Sequence, residues 1–449
     1  MFRCSSAHLA RPGVLIGLLL LGPGRHFALA QTDAAVAEPS PAPLADSSPA
    51  SVAAPPPQAP GEEPRGAEGF LSEPGFISSA IGFANQFGPH DGGPKSGFYP
   101  ELSNMMTGSG WVSIGPGYRQ YFANDHGMFD TSAAVSWRMY KMGQARVEGQ
   151  NLAGGHLLIG SQYMWHDETQ VNYFGVGPAV LEDDRSQYRL QTHDIVGYAT
   201  VTTNDWLSIS GKAGWLGHPK LMEPGGTFQR DLPSTRDAFP QDPAASLSQQ
   251  PAFLHSEASI AADTRDHRGH PMRGSLYRAA LTNYWDRTDG VFTFHTWEAE
   301  ALHYVPLADA KVVLVFHGWT VASNPSVEHE VPFYLLPAIG GSRTLRDYHD
   351  FQFHDNNALV LNAESRFALY THLDAALFAD AGNVGHHFGD LNIDKRSYGA
   401  GVRLHNQTTT LARIDVAHGT QGWRINVATS EPMRLPRVRR NVAMIPFTP

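Results

Sequence analysis

Residues 333–367 read FYLLPAIGGSRTLRDYHDFQFHDNNALVLNAESRF, and the reading of this stretch decides the fold. An apolar run breaks at Gly340 and Gly341, and one arginine is carried forward in TLRDY. The chain then returns into an alternating strand that contains Glu364. A second acid follows at Asp380 in LFADAG. The pattern places Arg346 at the tip of a long loop folded into a β-barrel, where it meets Glu364 and Asp380 on the inner wall.

The alternation extends outward from this stretch. In 359–369, Leu359, Leu361, Ala363, Phe367 and Leu369 oppose Asn362, Glu364 and Arg366. In 276–286, Tyr277, Ala279, Leu281 and Trp285 oppose Arg278, Thr282, Tyr284 and Asp286. Segments 373–381, 410–416 and 423–427 repeat the pattern, with Thr410 on the apolar side of its segment. Period two with one apolar face marks a half-buried strand. A soluble barrel turns its apolar face inward, whereas a membrane barrel turns it toward lipid. Here the polar face is too charged for a packed interior, so the apolar face is assigned to lipid. Trp285, Trp297, Trp319, Tyr370 and Trp423 lie near strand ends and suit interfacial girdles.

Sixteen antiparallel strands are expected at 111–120, 128–141, 143–151, 155–165, 169–178, 186–202, 204–217, 255–264, 273–286, 291–305, 309–322, 356–370, 372–383, 395–406, 408–418 and 421–431. Short connections such as 202–205, 306–310 and 371–372 contrast with long ones at 218–254 and 323–355. Short periplasmic turns and long outer loops are the habit of outer-membrane barrels. With both chain ends in the periplasm, both long loops fall outside. The alternative, an array of soluble β-sandwiches, conflicts with the export signal and the charged face.

Outside the expected barrel at 111–431 the chain changes character. Residues 1–30 form a signal peptide, with Arg3 and Arg11, the apolar run GVLIGLLLL at 13–21 and an A-x-A site at Ala28-Leu29-Ala30. That run is too short to span a bilayer as a helix. Cys4, the single cysteine, leaves with it, so no disulfide, thiolate metal site or cysteine nucleophile is expected. Residues 31–67 are rich in proline, alanine and serine and read as a disordered tether. Residues 68–110 form an N-terminal segment with one short helix at 71–87, and residues 432–449 form a basic tail. The formal net charge is −10, and the signal takes away three arginines and no acid. An acidic chain of this kind argues against nucleic acid as a partner. The lack of a later long apolar run excludes a helical membrane protein.

Five segments carry a family resemblance: NYFGVGPAVLEDDRSQYRL (172–190), DTRDHRGHPMRGSLYRA (263–279), FYLLPAIGGSRTLRDY (333–348), NAESRF (362–367) and LFADAGNV (377–384). In this order and spacing the chain resembles the outer-membrane protein assembly factor superfamily, the BamA and TamA type of bacterial surface antigen. The resemblance implies a sixteen-stranded transmembrane barrel in the bacterial outer membrane, whose sixth outer loop folds inward. It implies an arginine-glycine-aromatic motif on that loop, which maps to Arg346, Asp347 and Tyr348, after Gly340 and Gly341. Its arginine contacts acids inside the barrel, here Glu364 and Asp380. An arginine fork in a narrow lumen needs such carboxylates. Stapling the loop and serving a function are compatible roles for the cluster. This chain departs from the pattern in three ways. Asp347 replaces the motif glycine. Periplasmic POTRA modules, which receive client chains in the family, are not expected in residues 31–110. The chain also continues past Met433 instead of closing on an aromatic.

Neither a catalytic nor a metal site is expected. Among 22 histidines, His267 with His270 and His386 with His387 are near neighbours, but none has helical HExxH context, and they read as surface turn residues. Asp263 to Asp266 reads as a strand end and turn, and no nucleophile elbow or phosphate loop occurs. The expectation is a non-enzymatic barrel without cofactors, in contact with outer-membrane lipids. It would assist insertion or transport of polypeptides or lipids, with client polypeptides or a separate periplasmic partner. A passive channel and a structural surface antigen are the alternatives.

Overall fold

Alternating apolar and polar residues bury one face of a strand and expose the other, and here the buried face is the charged one. Leu361 and Leu377 are exposed, while Asn362, Glu364, Arg366, Asp374 and Asp380 are buried. Tyr277 and Trp285 are likewise exposed on either side of Arg278, which pairs with Glu257 at 2.6 Å and Glu298 at 2.9 Å. That inversion of the soluble pattern is the signature of strands whose outer face meets lipid.

The computed structural model describes residues 69–87, 96–101, 113–204, 206–225, 231–246, 250–288, 290–406, 408–428 and 431–433. The expected signal peptide, tether and most of the basic tail lie outside the described residues. The strands are β1 (Gly97–Glu101), β2 (Ser113–Phe122), β3 (Gly127–Ser136), β4 (Lys141–Leu152), β5 (Leu157–Tyr173), β6 (Ser186–Asn204), β7 (Leu207–Leu216), β8 (Lys220–Met222), β9 (Phe253–Asp263), β10 (Gly274–Asp286), β11 (Phe294–Leu307), β12 (Val312–Pro325), β13 (Ala338–Ile339), β14 (Phe353–His354), β15 (Asn357–Tyr370), β16 (Leu373–Gly385), β17 (Lys395–His405), β18 (Thr410–Gly419) and β19 (Gly422–Ala428).

All wall pairings are antiparallel between successive wall strands, from β1–β2 through β6–β7, β7–β9, β12–β15 and on to β18–β19. Short β8 adds to the end of β6, and β13 with β14 forms a separate ribbon inside the loop that joins β12 to β15. The result is a sixteen-stranded transmembrane antiparallel β-barrel. Its two ends differ. One carries the tight turns, such as 153–156, 308–311 and 371–372, together with the start of β1 and the end of β19. The opposite end carries the long connections 217–252 and 326–356. In a bacterial outer membrane the first end is periplasmic and the second faces out.

The count of sixteen is reached by a different route from the sequence expectation. Segments 155–165 and 169–178 are one strand, β5, paired to β6 along its length with a shift between Glu168 and Val171. The polar run His166–Thr169 looks like a turn by composition, but its side chains find partners. Asp167 takes a two-pronged contact from Arg189 at 2.7 and 2.8 Å, and the Thr169 hydroxyl donates to the Arg138 carbonyl. The sixteenth strand is β1, within the segment expected to precede the barrel. Its Pro100 pairs opposite Pro116, so neither supplies an N–H at that position.

Two side-chain assignments reverse. Trp319 points inward at 6% exposure and donates from Nε1 to Glu298 at 2.7 Å, so it is no girdle residue. It shares the inward phase of His317, between outward Phe316 and Gly318. Thr410 is buried too, because a register shift after Leu404 changes the phase of β18 at its start.

The N-terminal helix is α1 (Gly75–Phe87), beginning directly after Pro74. The chain before it pairs with the periplasmic end of β15, where Phe70 and Leu71 amides donate to the carbonyls of Ala368 and Leu369. Glu73 accepts from the His372 amide in the β15–β16 turn. In the outer connection 217–252, α2 (Thr235–Ala238) and α3 (Pro243–Ser246) pack over the lumen, with Ala244 and Ala245 buried beside Phe253.

A wall with its hydrogen bonds internally satisfied resists detergent denaturation. In gel electrophoresis with dodecyl sulfate the unheated protein should migrate as a distinct compact band that converts to the unfolded position on boiling. A single band at the unfolded position in both lanes would contradict the assigned wall.

Candidate functional site

Sequence places Gly340 and Gly341 at the turn of the inward loop, and the backbone explains why. Their φ angles are +118° and +90°, a region that penalises any side chain. A Cβ at Gly340 would sit 2.2 Å from the His349 carbonyl, and one at Gly341 would sit 2.0 Å from Asp350. The two glycines thus let the outgoing and returning arms of the loop close on each other. The arms are held in the lumen by two apolar clusters. Phe333, Tyr334, Leu335 and Leu336 pack among Tyr173, Tyr188 and Phe294 of the wall. Ile339, Leu345, Tyr348 and Phe353 pack against Trp319, Val360 and Val384.

Between these clusters Arg346, 1% exposed, reaches the wall. Its Nε and Nη2 donate to the two oxygens of Asp380 at 2.9 and 2.8 Å, and its Nη1 donates to Glu364 Oε2 at 2.9 Å. The guanidinium lies 3.5 Å from the centre of the Phe378 ring, which stands opposite Glu364 and two residues before Asp380. Asp380 also accepts from Asn362 Nδ2 and Ser397 Oγ, each at 2.9 Å, and Asn362 donates at 2.7 Å to the Thr344 carbonyl of the loop.

The site is larger than the three residues read from sequence. Arg403 donates to Glu364 at 2.9 Å and lies 2.6 Å from Asp415. Arg366 bridges Glu364 at 3.0 Å and Glu431. Arg413 pairs with Asp415 and donates at 2.7 Å to the Ser342 carbonyl. Four arginines (346, 366, 403, 413) thus face four carboxylates (364, 380, 415, 431), all with side chains at most 2% exposed. The charges balance, which is the condition for holding them away from water. Loop backbone is tied as well: Arg424 donates to the Asp347 carbonyl and Asn426 to the Arg346 carbonyl, each at 2.8 Å. Tyr348 shares a 2.7 Å hydroxyl contact with Thr420. Strand alternation had already put Arg366, Arg413, Asp415, Arg424 and Asn426 on the inward face. It carried no sign of which pairs they form.

The loop also crosses to the far wall. His349 Nε2 lies 2.6 Å from Glu182 Oε1, and the Gly177 amide donates to the His354 carbonyl at 2.7 Å. His354 is buried, and burial pushes its imidazole down to about 3, so it stands in the loop as a neutral ring.

Asp347, at the motif's glycine position, is the odd member. Its carboxylate is packed against Gly419, where a Cβ would come within 2.0 Å of it, and among the described residues no side-chain donor hydrogen-bonds it. Burial pushes its pKa up to about 6, against the opposing pull of the Gln421 and Asp347 backbone amides and of Arg424.

Of the histidines expected at surface turns, His386 and His387 are exposed, but His270 is 2% exposed and packed under the lumen. The turn that carries it folds inward, with Gly269 bridging to Thr409, instead of standing in the periplasm.

Removing one partner from a buried ion pair costs about 3–5 kcal/mol, because the other is left uncompensated. Arg346→Ala should therefore lower the heating midpoint of the gel shift while the barrel still inserts. Arg346→Lys should recover only part of the loss, lacking the planar fork. The double variant with Asp380→Ala should lose less than the two singles together. Asp347 should act in the opposite sense. A carboxyl with a raised pKa contributes most below its unfolded value and loses that contribution as pH rises through about 6. Asp347→Asn should therefore gain stability over the parent at neutral pH, and the gain should shrink on acidification toward about pH 4. A pH-independent difference between the two would rule out ionisation as its cause.

Comparison with known proteins agrees with this architecture. The Omp85 superfamily domain matches residues 226–422, which include four of the five segments that carry the resemblance. Among solved structures the chain is similar to BamA from Haemophilus ducreyi lacking POTRA domains 1-3, at TM-score 0.54 and 13% identity over 79% of this chain and 77% of that one. It is also similar to CdiB from Escherichia coli, at TM-score 0.44 and 14% identity over 75% of this chain and 60% of that one. No curated protein matches its sequence. With its lipid-facing apolar wall and inward-folded arginine loop, this chain is an outer-membrane β-barrel that carries an Omp85 superfamily domain over residues 226–422.

Proposed function

We propose that this barrel assists the insertion or translocation of polypeptides at the outer membrane, using the edge between its first and last strands. The observation that carries the reading is the seam. Among the described residues β1 has register partners only in β2, and β19 only in β18. Both are short beside their neighbours: β1 is 5 residues and β19 is 7, against 10 each for β2 and β18. An unpaired strand edge presents backbone donors and acceptors that an extended client segment can add to.

The loop supports this reading over a passive channel. A sixteen-stranded barrel is wide enough for water unless something fills it. Residues 333–355 cross the lumen from the β15–β19 wall to Glu182 and are bonded at both sides. The family resemblance points the same way, toward client polypeptides and a periplasmic partner that delivers them, with no enzymatic chemistry.

Reconstitution in liposomes tests the proposal. The purified protein should accelerate the insertion of a second, urea-unfolded barrel protein and show low, fluctuating conductance. Shortening the loop at 342–349 should raise conductance. A wide, steady pore in the intact protein with no acceleration of insertion would overturn the proposal in favour of a passive channel.

A further inference from the structure

We propose that His270, Asp374 and His405 form a binding site for a divalent transition metal of the zinc class at the periplasmic end of the barrel. The three residues come from separate elements. His270 lies in the inward-folded turn 264–273, Asp374 at the start of β16 and His405 at the end of β17. They are 2%, 6% and 6% exposed. Their candidate ligand atoms all lie within 4.8 Å of one another.

The three side chains thus gather three potential ligand atoms at one buried point. The two imidazoles stack face to face, with ring centres 3.8 Å apart and planes within 11°, and an ion shared by both requires one ring to turn about its Cβ–Cγ bond so that the two Nε2 lone pairs converge. His270 Nε2 is 3.3 Å from Asp374 Oδ2, and His405 Nε2 is 3.3 Å from Asp374 Oδ1. An N–H···O bond is usually about 2.9–3.0 Å. By contrast, two ligands bound at about 2.0–2.1 Å to a tetrahedral zinc ion stand roughly 3.3–3.4 Å apart. The observed separations, each to a different oxygen of Asp374, are longer than that hydrogen-bond distance and fall within the ligand-to-ligand span.

The surrounding groups prepare the site. His270 Nδ1 lies 3.0 Å from Thr410 Oγ1, whose hydroxyl faces Glu431 Oε2 at 3.5 Å. With the threonine proton turned to Glu431, the hydroxyl accepts from Nδ1–H. The Nε2 lone pair of His270 is then left facing Asp374. This histidine–hydroxyl–carboxylate chain is the usual support of a metal-bound imidazole. Two lone-pair donors directed at one another are relieved by a cation between them. Of the two cations that line the adjoining cavity, Lys311 and Arg366, Arg366 is paired with Glu364 and Glu431. A small cavity lined by His270, Met272, Thr371, Asp374 and His405 leaves room for a fourth, water-derived ligand. Two imidazoles and a carboxylate favour zinc, cobalt or nickel over magnesium or calcium, which take all-oxygen sets.

The site would tie the 264–273 turn to β16 and β17 across the base of the lumen. A bound ion would thus hold the periplasmic mouth closed beneath the arginine cluster.

Cobalt and zinc titrations of the detergent-solubilised protein, stripped of metal with a chelator, test this. The expected result is one equivalent of Co²⁺ with the intense visible absorption of tetrahedral coordination, bleached on displacement by Zn²⁺. His270→Gln, Asp374→Asn and His405→Gln should each weaken binding at least tenfold. Thr410→Val, which keeps all three ligands, should weaken it by about 10- to 100-fold. His386→Gln with His387→Gln should leave it unchanged. The heated gel shift reports whether each variant folds. If a ligand variant fails to fold, the wild-type cobalt spectrum and Thr410→Val decide the matter. Absence of a stoichiometric tetrahedral cobalt spectrum in the folded wild-type protein would overturn the site. So would full retention of that spectrum in folded His270→Gln/His405→Gln.

Discussion

A β-barrel in a membrane must put its charges inside, and inside there is little water to receive them. That constraint organises this structure. The wall between β15 and β19 carries acids and arginines on its inner face because its outer face belongs to lipid. Charges so enclosed are tolerable only when every one has a partner. The loop that joins β12 to β15 supplies Arg346, and Arg346 takes both oxygens of Asp380 and one of Glu364. Without the loop, Asp380 would keep only the neutral donors Asn362 and Ser397. The wall and the loop therefore stabilise one another. Neither is a finished structure alone.

The same economy explains why the loop is long and aromatic. To deliver one guanidinium to the wall, the chain must descend into the lumen and return. Gly340 and Gly341 permit the reversal, and the buried aromatics at 333–334 and 348–353 fill the space that the descent opens. The proposed function draws on both the filled lumen and the short edge strands. With the interior braced, that proposal places a client segment at the seam between β1 and β19. Asp347 sits against Gly419 at the next turn of the wall, where an ionised carboxylate is poorly accommodated. It is the one member of the motif whose chemistry works against the packing around it.

At the periplasmic end a second convergence occurs. The 264–273 turn enters the lumen, Glu431 closes the arginine chain from below, and Glu73 anchors the N-terminal segment to the β15–β16 turn. The histidine and aspartate groups assembled there join parts of the chain far apart in sequence.

Sequence by itself determined the class and the orientation. Period-two alternation with a charged face requires a barrel exposed to lipid, and alternation alone put Glu364, Asp380, Arg366 and Asp415 on its inner wall. Connection lengths told the outer end from the periplasmic one. The limits of the strands were less legible. His166–Thr169 has the composition of a turn, yet its polar groups are satisfied by Arg189 and the Arg138 carbonyl, and β5 runs through it. GFYPE has the composition of a loop, yet it forms an edge strand, where proline is tolerated. Phase was lost at the register shift between Thr410 and Ala412, whereas Trp319, in unbroken register, simply shares the inward phase of His317. Only the tertiary structure decided which charges pair. Arg346, Arg403 and Arg366 all reach Glu364 from different strands and a loop, and His270 meets His405 through a turn that folds inward. Periodicity is a property of neighbours along the chain, whereas these contacts are set by how the sheet curls and which connections enter it.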